Sequence, residues 1–300
     1  MSPDCERDAI ERELTPPFTI ARPVVLSAPI VFCSPHSGSV YPNAFVAASQ
    51  LDTASLRKSE DCYVDELFAS APAYGAALIA ARFPRAYLDV NREPYELDPE
   101  LIEGPLPDYA NARTMRVIGG LGTIARVVSE ADEIYRERLP LASALMRIDR
   151  LYKPFHAALE RLLDEVVETF GYCVLVDCHS MPSGEPAAVA KGRADFVIGD
   201  RFGSSCDPWL TTHVRNNLSR SGHRVYLNRP YAGGFITEHY GQPFQNRHAL
   251  QIEIKRGLYM NERSYERAVG FENVRHLVGQ LIESLVHESK RHFGPRQAAE

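Results

Sequence analysis

Two histidine-serine pairs stand at the ends of apolar runs. His36-Ser37 follows PIVFCSP, which starts at Pro29, and His179-Ser180 follows YCVLVDC, which starts at Tyr172. Imidazole is the commonest protein metal ligand, and two of them at the ends of buried strands can face one crevice. Two histidines do not hold a catalytic metal, so a third ligand is wanted, and Ser59-Glu60-Asp61-Cys62 lies between them. Either carboxylate there, Glu60 or Asp61, can supply an oxygen. Two imidazoles and a carboxylate leave one position for water, the pattern of hydrolytic zinc sites. A further carboxylate, Glu253, sits between Ile252 and Ile254 in ALQIEIK. A carboxylate in an apolar strand is costly unless paired or functional, and desolvation would raise its pKa toward that of a general base at neutral pH.

Cationic groups follow the same grammar. Asn91-Arg92 closes the apolar run at 86–90, and an amide beside a planar guanidinium is suited to gripping a carboxylate through two hydrogen bonds. Arg126 is a second carboxylate-binding candidate. It follows Gly119-Gly120-Leu121-Gly122, which lacks the spacing of a phosphate-binding loop. His239 is placed to touch a ligand or to pack, and His156 lies beside a helical stripe and reads as structural.

These groups need buried strands to carry them, because ligand chemistry in open α/β sheets collects at the carboxyl ends of strands. Strands are expected at Ile30–Ser34 and at 76–81, 86–90, 173–177, 194–199, 225–228 and 249–255. Helical spacing is expected over 51–70, over 132–170 with breaks near Pro140 and Lys153-Pro154, over 208–221, and over 264–293. Leu151, Phe155, Leu159, Leu162, Leu163 and Val166 form the stripe of a helix packed on a sheet. Residues 96–118 and 235–245 read as loops, and the tail after Gly294 as loose. The alternation implies an α/β fold with a mixed, largely parallel sheet flanked by helices on both faces. Residues 1–28, broken by Pro16-Pro17 and Pro23, read as an irregular arm ahead of a single catalytic domain over 29–293.

Composition narrows the partners. The 300 residues are 45% hydrophobic, enough for a substantial core, and the net charge of -6 comes without a stretch of five or more like charges. Neither a nucleic acid nor a membrane surface is implied, so the partner is expected to be a small molecule. The start of the chain lacks the basic and apolar regions of a signal peptide, and the protein reads as cytoplasmic. Six cysteines show no CxxC pair and no disulfide framework. Cys62 and Cys178 adjoin proposed ligands, which leaves a cysteine hydrolase using Cys178 as a rival reading.

Five segments in register resemble the N-formylglutamate amidohydrolase family: SPHSG at 34–38, SED at 59–61, DVNR at 89–92, VDCHS at 176–180 and ALQIEIKRGLYM at 249–260. That family is similar, at a distance, to the zinc carboxypeptidases. The resemblance implies one zinc ion held by His36 and His179, a substrate carboxylate gripped by Asn91 and Arg92, and Glu253 as general base. The carboxypeptidases carry their metal-binding Glu three residues after the first His, where this chain has Ser39. Asp61 is therefore taken as third ligand ahead of Glu60. The implied reaction is hydrolysis of an N-formyl or short N-acyl amide on an acidic amino acid, releasing formate and glutamate in the family's best-known case, within histidine breakdown. Arg85 or Arg126 would lie near the second carboxylate. The alternatives are an amidohydrolase or peptidase for another N-acyl amino acid, and a catalytically silent protein that binds an acidic metabolite.

Overall fold

Three buried parallel strands run side by side in the middle of the large sheet. The computed structural model describes residues 2–128, 132–184 and 194–294. Its strands are β1 (Phe18–Ala21), β2 (Ile30–Ser34), β3 (Ala77–Ala81), β4 (Ile102–Glu103), β5 (Leu139–Pro140), β6 (Cys173–Met181), β7 (Phe196–Gly199), β8 (Val225–Leu227) and β9 (Arg247–Lys255). Seven of them form one sheet in the order β1-β3-β2-β6-β9-β7-β8. β2, β6 and β9 run parallel, β7 is antiparallel to β9, and β8 is parallel to β7. The class is α/β with a mixed, largely parallel sheet, as expected. Parallel strands are covered on both faces, which is why every residue of β2 and β6 is buried.

The chain divides into two compact units of interleaved segments. One comprises Met1–Thr19, Pro35–Cys62 and Ala80–Leu159; the other comprises Ile20–Ser34, Tyr63–Ile79 and Glu160–Glu300. The second unit holds most of the large sheet. Its long helix Phe271–Phe293 packs against the helix Pro208–Arg220 and the turn Val64–Leu67, burying Leu277, Val278, Leu281, Ile282 and Leu285. Each such side chain contributes roughly 1.5–3 kcal/mol when fully buried.

The first unit corrects the irregular arm. Pro3–Glu13 is a helix, and Phe18–Ala21 is the edge strand β1. Its signals lie in the sequence: Ser2 caps the helix by accepting from the Cys5 amide, Pro3 opens it, and Asp4 and Glu6 sit in its positive first turn. Glu6 is wholly buried and pairs with Arg147, itself wholly buried, at 2.8 Å. Arg147 also donates to the Tyr135 hydroxyl at 2.7 Å and lies 3.9 Å from the centre of the Tyr87 ring, while the Tyr87 hydroxyl donates to Glu6. A buried ion pair so fully bonded fixes the helix in place.

Other expectations are revised locally. Residues 86–90 form turns instead of a strand, with the Tyr87 and Leu88 amides both bonded to the Pro84 carbonyl. The helical region 51–70 is split into Thr53–Leu56, Arg57–Ser59 and Val64–Leu67 by a left-handed Tyr63. That break leaves Glu60 and Asp61 outside any helix. Residues 132–140 form no helix, only isolated bridges at Glu133 and Tyr135, a bend and β5, and helix begins at Leu141. Pro154 does not break the helix that follows. The turn Ile148–Tyr152 ahead of it is wound as a π-helix, which accommodates a residue with no amide hydrogen. The loop expectation at 235–245 is corrected by the helix Phe235–Tyr240, and that at 96–118 by β4 and the turn Met115–Ile118. The C-terminal region is one helix, Phe271–Phe293. The tail after Gly294, expected to be loose, lies outside the described residues.

Candidate active site

Strand β6 is longer than expected. It runs through His179 and Ser180 to Met181, so His179 lies within the strand and its partner across the sheet is fixed by register. In the parallel pairing of β6 with β9, Asp177 stands opposite Gln251 and His179 opposite Glu253. Residues so paired share a face, which sets the Glu253 carboxylate beside the His179 ring. Glu253 is buried and accepts from Gln251 Nε2 at 2.8 Å, while Gln251 Oε1 accepts from the Gly234 amide at 2.9 Å. The carboxylate is thus held by a side chain that is itself held.

His179 is oriented from within its own strand. Its Nε2 is 2.8 Å from Asp177 Oδ1, and Asp177 Oδ2 accepts from the Thr237 hydroxyl at 3.2 Å. A buried carboxylate accepts, so Nε2 carries the proton and Nδ1 keeps its lone pair.

His36 is oriented in the same way. It lies two residues beyond the end of β2, and its Nε2 is 2.7 Å from Asp89 Oδ1. Asp89 also accepts from the Asn91 amide at 2.8 Å and from Arg85 at 2.7 Å, with Arg92 at 3.5 Å. Burial alone would push this carboxyl up, yet Arg85, Arg92 and the His36 ring hold it well below the usual carboxylate range. Gly38 explains the rest of SPHSG. A Cβ there would lie 2.2 Å from the Phe83 carbonyl, so only glycine lets the 82–83 backbone pass this close to the His36 loop. The Asp61 amide donates to the His36 carbonyl at 2.9 Å, and Asp61 Oδ2 lies 3.6 Å from His36 Nδ1. Glu60 is turned to other partners, accepting from Arg57 Nε at 3.0 Å and the Tyr41 hydroxyl at 2.9 Å.

One ligand atom from each of His36, Asp61 and His179, all three buried, lies within 4.8 Å of the others. Two imidazoles and a carboxylate, each imidazole backed by a second carboxylate on its far nitrogen, are a donor set suited to a divalent metal such as zinc.

The remaining expected residues divide into two sets. The backbone of the segment carrying Asn91 and Arg92 is fixed by the Tyr152 hydroxyl, which donates to the Arg92 carbonyl at 2.7 Å, and by His156 Nε2, 2.8 Å from the Val90 carbonyl. Tyr152 ends the π-wound turn, and His156 is structural as expected. Arg85 is joined to Asp89, and Arg126 is taken up by Asp98 at 2.7 Å, Glu100 at 2.9 Å and Glu133 at 3.2 Å. His239 stacks on Phe235 with ring centres 4.9 Å apart. Burial, first, and then the Asp177 charge push the Cys178 thiol well above its ordinary value, which disfavours a thiolate there. Sequence reasoning missed Arg256, a buried cation whose Nε donates to the Ser180 hydroxyl at 3.0 Å. Its signals are its place, one residue past the end of β9, and its position within ALQIEIKRGLYM.

A sequence model of the N-formylglutamate amidohydrolase family matches residues 28–260 of this chain. The chain belongs to the N-formylglutamate amidohydrolase family. Within that family it is 30% identical to an N-formylglutamate deformylase of Pseudomonas putida over 78% of this chain and 82% of that protein. It is also 30% identical to an N-formylglutamate deformylase of Pseudomonas aeruginosa, over 86% and 92% of the two chains. The crystal structure of an N-formylglutamate amidohydrolase from Ralstonia eutropha JMP134 superposes with a TM-score of 0.86 at 36% identity, covering 92% of this chain and 99% of that one.

Proposed function

We propose that this member of the amidohydrolase family hydrolyses the formyl amide of N-formyl-L-glutamate to formate and L-glutamate, using one zinc ion held by His36, Asp61 and His179. The observation that carries the reading is the approach of three buried ligand atoms to within 4.8 Å, with Glu253 paired across the sheet to His179. The deformylase names of the two Pseudomonas relatives support the choice of substrate. When bound, zinc would supply Lewis acidity toward the formyl oxygen and lower the pKa of water.

The chain's own groups do the rest. Asp89 and Asp177 keep both imidazoles in the tautomer that presents Nδ1. Glu253, steadied by Gln251, takes the proton of the attacking water and returns it to the leaving nitrogen. Asn91 and Arg92 hold the substrate α-carboxylate, on a backbone that Tyr152 and His156 keep still. Arg85 acts through Asp89, and Arg126, bound to three carboxylates, is left out of the substrate set. The cytoplasm is the compartment in this reading, in keeping with six free thiols, and histidine breakdown the pathway served.

Formate release from N-formyl-L-glutamate is measured before chelation, after complete metal removal, and after zinc is restored, alongside Glu253→Gln. Activity should vanish and return with zinc. Glu253→Gln should lose about 10²–10⁴-fold in kcat while keeping its zinc. An undiminished rate in the metal-free protein, or in Glu253→Gln, refutes the reading.

A further inference from the structure

A substrate with two carboxylates needs two cationic partners, and the residues assigned so far provide for one. In the first unit the turn Met115–Ile118 carries Arg116. The Thr114 hydroxyl caps this turn by accepting from the Val117 amide at 3.1 Å. The segment after the turn is bound to the segment that carries Arg92. Leu121 donates its amide to the Arg116 carbonyl at 2.7 Å and accepts from Arg92 Nε at 2.8 Å. The Thr123 amide donates to the Glu96 carbonyl at 2.9 Å, and Gly122 lies so close that a Cβ there would be 2.3 Å from that carbonyl. Arg116 is therefore carried on a braced platform beside Arg92.

The charges around it do not balance. Arg85 is answered by Asp89, and Arg126 by Asp98, Glu100 and Glu133. Arg116 is half-buried, and among the described residues its side chain makes no hydrogen bond or ion pair. Burial is the main reason the Arg92 guanidinium falls to about 10. Asp89 opposes that fall, and the neighbouring charges of Arg85 and Arg116 add to it. Glu96 is a weak counterweight: burial raises its pKa, although its bond to Thr114 and the charges of Arg116 and Arg92 pull the other way. Two guanidinium groups that feel each other's charge, with too little negative charge between them, suit a dianion.

We propose that Arg116 is a specificity-determining residue that takes the side-chain carboxylate of the substrate while Asn91 and Arg92 take its α-carboxylate. The inference rests on the amidohydrolase reading above and deepens it. A path of named contacts joins this pair to the metal ligands, since Asp89 lies 2.7 Å from His36 and 3.5 Å from Arg92. The carboxylates of one glutamate are separated by only three carbons, which suits neighbouring guanidinium groups. A charge-assisted bond made by a half-exposed Arg discriminates by about 10–100-fold.

The test compares kcat/KM for N-formyl-L-glutamate and N-formyl-L-glutamine in the zinc-loaded protein, Arg116→Gln, Arg116→Lys and Arg113→Gln. Arg116→Gln should lower the preference for the acidic substrate by about 10–100-fold, chiefly through KM. Arg116→Lys should restore part of that preference, and Arg113→Gln, an exposed cation three residues earlier, should leave it intact. Equal loss on both substrates in Arg116→Gln, or a preference that stays within twofold, overturns the proposal. If the native protein turns over neither substrate, it is the amidohydrolase reading that fails. Titration calorimetry with glutarate then decides on Arg116: tenfold weaker binding in Arg116→Gln upholds the anion site, and equal affinity or no binding to the native protein removes it.

Discussion

Replacing Asp89 by Asn tests whether the polar groups behind the proposed metal ligands act as the geometry implies. The carboxylate of Asp89 holds His36 Nε2 at 2.7 Å and bridges to Arg85 at 2.7 Å and Arg92 at 3.5 Å. An amide of the same shape can still accept from His36. It removes the negative charge that makes Nδ1 a better donor, and it leaves two cations facing each other across a neutral group. Loss of such a second carboxylate typically costs 10–100-fold in metal affinity, or about 1.4–2.7 kcal/mol.

The same substitution weakens the fold by a separate route. The Arg85 side chain is about one quarter exposed, so solvent screens its loss of a partner. The expected cost is about 1–3 kcal/mol, below the figure for a wholly buried pair. Melting of the metal-free protein reads this second effect, and competition with a chromophoric chelator reads the first. Asp177→Asn, acting through His179, should weaken zinc by a similar factor, whereas Asp98→Asn, whose carboxylate holds Arg126 and the Glu100 amide, should not. Zinc affinity in Asp89→Asn within twofold of the native value, with the apo-protein equally stable, would show that His36 is not a ligand backed by Asp89.

Three further outcomes are expected. Glu6→Ala strands the buried Arg147 and should cost about 3–5 kcal/mol, seen as a fall in melting temperature, and Glu6→Leu with Arg147→Met should recover most of it; no fall would mean that the N-terminal helix is dispensable. Burial, set against Asp207 for His248 and Glu288 for His213, lowers both imidazoles below the ordinary value of about 6.5. The unfolded chain therefore binds protons that the folded one refuses, so denaturation midpoints should fall as pH drops from about 6.5, and less so in His248→Asn; a flat profile contradicts this. Cys178→Ala should retain activity within about threefold, because its buried thiol is pushed far above neutrality, and complete loss would reopen a thiol mechanism.

The central strands were legible because β2 and the first half of β6 carry the continuous apolar run that burial on both faces leaves, and β9 alternates apolar and polar side chains. The two histidines and Glu253 stood out for a related reason: a polar group within or just after such a run has few inexpensive explanations. What the sequence could not reveal was register. The pairing of His179 with Glu253 depends on β6 extending past Asp177, where the expected strand ends, to Met181, and on β9 lying parallel to it across distant chain segments. Apolar pattern alone also misread 86–90 as a strand, since Tyr87, Leu88 and Val90 are just as buried in a turn as they would be in a sheet. That misreading still drew the eye to Asp89, which holds His36 and faces Arg85 and Arg92, because the polar residues follow from where the buried chain stops, whatever its backbone does before stopping. Arg116 lay beyond reach for the converse reason. It follows no apolar run, and its position is set by the Thr123 amide bonding the Glu96 carbonyl and by Arg92 Nε donating to the Leu121 carbonyl, long-range contacts that apolar periodicity does not reveal. The proposed histidine ligands are thus written in or beside the strands that carry them, whereas Arg116, proposed to choose the substrate, is placed by loop geometry.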